Sequence, residues 1–180
     1  VRMMAGTPDP VTDAWYVWAA LLSRGDSFMS VVAEMSGLTV AYQLLAAVER
    51  TPRDVAPEIA LALSLSGDEQ LQVRAGELRA AKCAGGSLLA HVAATVVLSR
   101  LTSEEEAQLL AGSALGVVLY PHGVRRYTRF LAGPRDTKNQ VGLWVEAELR
   151  RGTVPVALTT EVVPLSIFTT LAARSAGATS

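Results

Sequence analysis

The sequence predicts an α+β fold: one six-stranded antiparallel sheet with helices on one side. Three observations carry this expectation. Apolar and polar residues alternate over Gly37–Glu49, Val141–Arg151 and Thr153–Val163, the period of a half-buried strand, and Gln70–Lys82, Ser87–Leu98 and Gly123–Gly133 also read as strands. Gly85-Gly86 and Gly152 stand between successive runs, where a hairpin needs permissive residues. Half of the 180 residues are hydrophobic and 18% are charged, enough for one generous core in a single domain.

The elements follow in order. Val1–Pro10 lacks an apolar period, and residues 1–12 are expected to form a flexible arm. Asp13 can cap a helix to about Ser23, with Ala14, Val17, Trp18, Leu21 and Leu22 at helical spacing. Ser27–Met35 reads as a short helical turn and Gly37–Glu49 as the first strand. Arg50–Asp54 is a turn, and Val55–Ser66 is mixed or helical. After the hairpin of Gln70–Lys82 and Ser87–Leu98, T-S-E-E-E at Thr102 marks a helix start with acids in its first turn. Gly112 ends that helix, Ala114–Leu119 forms a shorter one, and Gly123–Gly133 is a strand. Pro134–Gln140 is a polar connection to the last hairpin. Pro155 places the start of the final strand at an edge or a bulge. Residues 172–180 read as a small-residue tail, so the domain is expected over 13–171.

Composition narrows the function. The longest apolar run, Ala14–Leu22, is nine residues, against the ~20 that cross a bilayer. It follows Asp9 and Asp13 rather than a basic segment, so neither a membrane span nor a signal peptide is expected, and the cytoplasm is the expected location. Net charge is −1 and the isoelectric point is near 6.2. No basic stripe suits nucleic acid, and Arg125, Arg126 and Arg129 read as a solvated strand face. The single Cys83 reads as a small buried hydrophobe. GxGxxG, P-loop, HExxH, CxxC and GxSxG motifs are absent. His91, read as a core or semi-buried residue, and His122 are not at ligand spacing, so no metal is expected.

The remaining candidate chemistry is a charged pair. Glu161 sits among apolar residues of the last strand, where a carboxylate must be paired, hydrated or put to use. Arg79, in GELRAAKC, is the candidate cation, since its planar fork matches a carboxylate bidentately. The two read either as a site for a small anionic substrate, with Arg79 as clamp and Glu161 as proton donor, or as a cross-strand salt bridge.

The order and spacing of several segments resemble the chorismate pyruvate-lyase family. They are GDSFMS at 25–30, LR at 78–79, VAATVVLSRL at 92–101, ALGVVLYPHG at 114–123 and GLWVEAELRRGTVPVALTTEVV at 142–163. The resemblance implies a chorismate lyase-like sheet with helical flaps enclosing the ligand in an internal pocket. It implies that Arg79 binds a carboxylate, that Glu161 is the acid that helps expel the enolpyruvyl group, and that the backbone near Leu115 and Phe28 touches the ligand. No cofactor is implied. The chain departs from the family at Ala94, at Met29-Ser30-Val31 and at Ala114. The leading expectation is a cofactor-free lyase converting chorismate to 4-hydroxybenzoate and pyruvate. One alternative is a cyclase of specialised metabolism with a more apolar pocket. The other is a non-catalytic small-molecule effector-binding domain, because ligand-binding domains of GntR-type regulators resemble this fold. The last lacks support from any helix-turn-helix segment ahead of the domain. The partner expected throughout is a small organic acid, with no nucleic acid and no membrane.

Overall fold

A computed structural model describes residues 9–81, 86–134 and 140–177. Cys83 and Gly85 lie outside the described residues, as do most of the expected arm, the 135–139 part of the polar connection and the last three residues.

The first helix, α1 (Pro10–Ser23), starts earlier than expected. Asp9, rather than Asp13, is the cap: its Oδ1 accepts from the Val11 amide at 3.2 Å, and Pro10 occupies the first turn, where an amide hydrogen would find no partner. The structured region thus begins inside the expected arm. Ser27 caps α2 (Phe28–Ser36) by accepting from the Ser30 amide at 3.1 Å, and Gly37 closes it with φ +65°.

The strands are β1 (Val40–Arg50), β2 (Leu71–Ala80), β3 (Leu88–Val97), β4 (Val124–Ala132), β5 (Val141–Arg151) and β6 (Val154–Pro164). They form one six-stranded sheet in the order β1-β2-β3-β6-β5-β4, and each neighbouring pair is antiparallel. β6 is therefore central, so Pro155 is not at an edge. It lies at a register shift in the β5–β6 pairing, where Leu149 faces Ala157 and Arg150 faces Pro155. A bulge at this point accommodates a residue without an amide hydrogen.

Between β1 and β2 lies α3 (Pro57–Ala62). Between β3 and β4 lie α4 (Ser103–Leu110) and α5 (Leu115–Leu119). The expected start of α4 is a complete capping box, with Thr102 Oγ1 accepting from the Glu105 amide and Glu105 Oε2 accepting from the Thr102 amide. Glu105 is fully buried, and its other oxygen accepts from Arg151 of β5, which fastens α4 to the sheet.

After Pro164 the chain continues as α6 (Leu165–Gly177). This corrects the expected tail at 172–180, because the helix runs on to Gly177 and Ala172, like Phe168 and Leu171 before it, is buried. They pack with Trp18, Leu21 and Leu22 of α1, Phe28 and Val32 of α2, and Leu143, Val145 and Val163 of the sheet. Trp18 stands 6.2 Å from Phe28 and 6.1 Å from Phe168, ring centre to ring centre. A second cluster joins α4 and α5 to Val96, Val124, Leu149 and Ala157. Both clusters lie on one face of the sheet. α3 is the exception: Leu63 at its end packs with Leu71, Val97 and Leu158 on the other face.

Candidate functional site

The site follows from strand register, because directly paired residues of antiparallel strands share a face. Three consecutive rows cross the helix-covered face. One is Gln72, Val96, Ala157, Leu149 and Arg126; the next is Arg74, Ala94, Thr159, Ala147 and Thr128; the third is Gly76, Val92, Glu161, Val145 and Leu131. Arg74, Arg126 and Glu161 therefore converge from β2, β4 and β6. With Thr159 and Leu149 they line a cavity of about 80 Å³, which Ser27 and Phe28 at the start of α2, Leu115 and Gly116 of α5, and Tyr42 and Tyr120 also line.

Arg79 is not in this cavity. Glu77 pairs with His91, the residue before Val92 of the Glu161 row, so Glu77 belongs to the opposite face of the sheet. Arg79 lies two residues further along β2 and stays with Glu77: its Nη2 is 2.7 Å from Glu77 Oε2 and its Nη1 donates to the Gly86 carbonyl at 2.9 Å. The expected Arg79–Glu161 pair does not form, and Arg79 is withdrawn as anion clamp. His91, expected to be a core or semi-buried residue, is exposed on the Arg79 face, 3.6 Å from Glu77. Phe28, Leu115 and Glu161 do line one cavity.

Glu161 is held by Arg126, which the sequence suggested was solvated. Both groups are buried. Arg126 Nη1 and Nη2 donate to the two carboxylate oxygens at 2.6 and 2.5 Å, and Thr159 Oγ1 donates to Oε1 at 3.0 Å. Burial pushes the Arg126 guanidinium down, but the adjacent Glu161 outweighs it and holds the group above the ordinary arginine value. The Arg126 guanidinium also lies 5.9 Å over the Phe28 ring. Burial pushes the Tyr120 hydroxyl up to about 12, so it stays a neutral donor at the cavity wall.

The second cation, Arg74, is only 2% exposed. Its Nη2 donates to the Ser113 carbonyl at 2.7 Å and to the Tyr42 hydroxyl at 3.3 Å, and its Nη1 reaches Gln72 Oε1 at 3.5 Å. Its Nε has no acceptor. Among the described residues Arg74 forms no ion pair. The Tyr42 ring lies 5.6 Å from its guanidinium carbon and rests on Gly76, where an added Cβ would meet the ring at 2.5 Å. Gly76 is thus the seat that lets Tyr42 brace Arg74. The sequence reading passed over Arg74 because V-R-A-G at 73–76 carries no strong apolar alternation. Position 76, with no side chain beside a buried even-numbered set, was the available signal.

Among the described residues no group of three His, Cys, Asp or Glu side chains is placed to hold a metal, and no helix is long and apolar enough to cross a membrane. The geometry offers one uncompensated guanidinium, one neutralised ion pair, two hydroxyl-bearing rings and apolar walls.

No family model and no curated protein matches the sequence. The structure is similar to that of PhnF from Mycobacterium smegmatis, with a TM-score of 0.53 and 12% identity over 77% of this chain and 64% of that one. It is also similar to a GntR-family transcriptional regulator from Bacillus cereus, with a TM-score of 0.50 and 10% identity over 71% of this chain and 92% of that one. The chain thus spans about two thirds of the PhnF chain, and the expected exclusion of nucleic acid is not supported. At these identities the likeness concerns architecture: the chain has the α+β, chorismate lyase-like fold, with its six-stranded antiparallel sheet, that these two proteins share.

Proposed function

We propose that this chain is a non-catalytic effector-binding domain that encloses a small organic anion, with Arg74 as the anion clamp. The observation that carries the reading is the unequal treatment of the two buried guanidinium groups. Arg126 has a carboxylate on both terminal nitrogens, while the terminal nitrogens of Arg74 have only neutral acceptors. A buried cation costs several kcal/mol unless an anion accompanies it, and an entering carboxylate supplies one. The Arg126–Glu161 pair and Tyr120 face the ligand's polar, uncharged end. The fold likeness to a GntR-family transcriptional regulator supports binding over turnover. A cytoplasmic setting and independence from cofactors belong to the same proposal.

Lyase chemistry fits this geometry less well. A general acid needs a carboxyl oxygen carrying a proton toward the substrate. Here both Glu161 oxygens accept from Arg126, and Oε1 accepts from Thr159 as well. The cyclase reading called for a long apolar chamber. The cavity is compact and has three charged side chains at its wall.

The test compares 4-hydroxybenzoate with its neutral amide by thermal shift and calorimetry, alongside a coupled pyruvate assay with chorismate. A ligand that binds only the folded state at 100 times its Kd raises stability by about 2.7 kcal/mol. The carboxylate is expected to stabilise the protein, the amide to do so far less, and Arg74→Met to erase the difference, with no pyruvate formed. Pyruvate release that disappears in Glu161→Gln would replace this reading with the lyase. Equal binding of acid and amide would remove Arg74 from its role.

A further inference from the structure

Beside the edge strand β4 runs an open trough of about 640 Å³, separate in its chemistry from the enclosed cavity. Residues Arg125–Leu131 form one side and Leu22–Gly25, at the end of α1, the other. The two sides are tied: Thr128 Oγ1 donates to the Leu22 carbonyl at 3.3 Å, and a Cβ on Gly25 would stand 3.3 Å from the Arg126 carbonyl. Arg126 turns inward to Glu161, while Arg24, Arg125 and Arg129 are exposed along the trough. Among the described residues none of these three forms an ion pair. Tyr127 and Phe130, about half exposed at 49% and 53%, stand between them.

Three features select an occupant. The outer edge of β4 pairs with no strand of this sheet, and an edge's free amides and carbonyls match an extended polypeptide. The row of guanidinium groups selects negative charge. The same row disfavours a second copy, because pairing two β4 edges would bring two rows of guanidinium groups together, and like-charge juxtaposition is unfavourable. Nucleic acid fits the edge's backbone groups poorly, and the chain's isoelectric point of 6.2 is far from a nucleic-acid footprint. We infer that this trough docks an extended acidic polypeptide segment, which adds to the edge of β4 with its carboxylates on Arg24, Arg125 and Arg129 and its apolar side chains against Tyr127 and Phe130.

The experiment is fluorescence anisotropy on the whole chain with a short labelled peptide of alternating Glu and Val. Three comparison probes are used: the Lys-for-Glu peptide, the same acidic peptide N-methylated at alternate residues, and a single-stranded DNA of equal charge. The acidic peptide is expected to bind, more weakly as salt rises. Arg125→Glu with Arg129→Glu is expected to weaken it at least about tenfold, as loss of complementary charge does, with Tm unchanged because both side chains are exposed. If that pair of changes lowers Tm, Arg125→Gln with Arg129→Gln provides the same readout without charge reversal. N-methylation is expected to weaken binding because it removes edge hydrogen bonds. DNA binding as tightly as the peptide, undiminished binding after N-methylation, self-association lost in the Arg variants, or no peptide binding would each overturn the inference.

Discussion

Arg74 and Arg126 reach the same cavity from strands on opposite halves of the sheet, and both are buried, at 2% and 4% exposure. Each leaves its Nε without an acceptor. Their remaining nitrogens differ: Arg126 grips a carboxylate with two parallel hydrogen bonds, whereas Arg74 leans on a carbonyl, a phenol and a long contact to an amide. The difference separates architecture from readiness. A compensated guanidinium fixes where β4 sits against β6. One held by neutral dipoles retains the charge with which to attract something from outside.

The largest effect is expected from Glu161→Gln. It leaves the Arg126 charge buried without its partner, and breaking a buried pair in this way costs about 3–5 kcal/mol. Chemical denaturation of the pure protein measures it, and a loss below about 1 kcal/mol would erase the distinction between the two arginines. Arg74→Met should behave oppositely: little change in unliganded stability, and carboxylate binding weaker by about 1.5–3 kcal/mol, the worth of a charge-assisted hydrogen bond.

Lowering the pH tests a different pair of ion pairs, those that hold the frame. Burial alone would raise Glu69 and Glu105. Hydrogen bonds from Arg100 and the Ser66 amide hold Glu69 below the ordinary value of 4.5, and the Thr102 amide and Arg151 do the same for Glu105. A folded-state value below the unfolded one stabilises the protein above pH 4.5 and loses that contribution as pH falls through the lower, folded value. Stability should therefore decline as the medium is acidified below about pH 4.5. Glu69→Gln should be less stable at neutral pH and decline less steeply, as followed by Tm across the acid range. The smallest effect belongs to Arg79→Ala. Its pair with Glu77 is part exposed, at 35% for the arginine side chain, and such pairs contribute about 0–1 kcal/mol. Carboxylate binding should be unchanged, and a loss would reinstate Arg79.

Strands were legible because turn residues bound them and several carry a period of two. All six, the Thr102 capping box and the hairpin at Gly152 follow from local chemistry. The partner of Glu161 was not legible, because it depends on which parity of β2 and β4 faces the helices. In LQVRAGELRA both parities carry apolar residues, and the choice is made by tertiary packing of Tyr42 over Gly76. Reading Arg125, Arg126 and Arg129 as one cluster had the same fault, since alternation along β4 buries Arg126 and exposes its neighbours. The helix after Pro164 was available in principle: Leu165, Phe168, Leu171 and Ala172 have helical spacing.

The fastening of Glu105 to Arg151 bears on how anything reaches the cavity. It pins the start of α4 to β5, whereas α5 has no side-chain cap, and the Ser113 carbonyl, in the turn just ahead of α5, accepts from Arg74. Opening is therefore expected to pivot on a fixed α4 and to swing the segment from Ser113 to Tyr120 outward, breaking one bond to the clamp as it goes. Amide hydrogen exchange should then run faster in α5 than in α4 and slow selectively in α5 once an anion is in place.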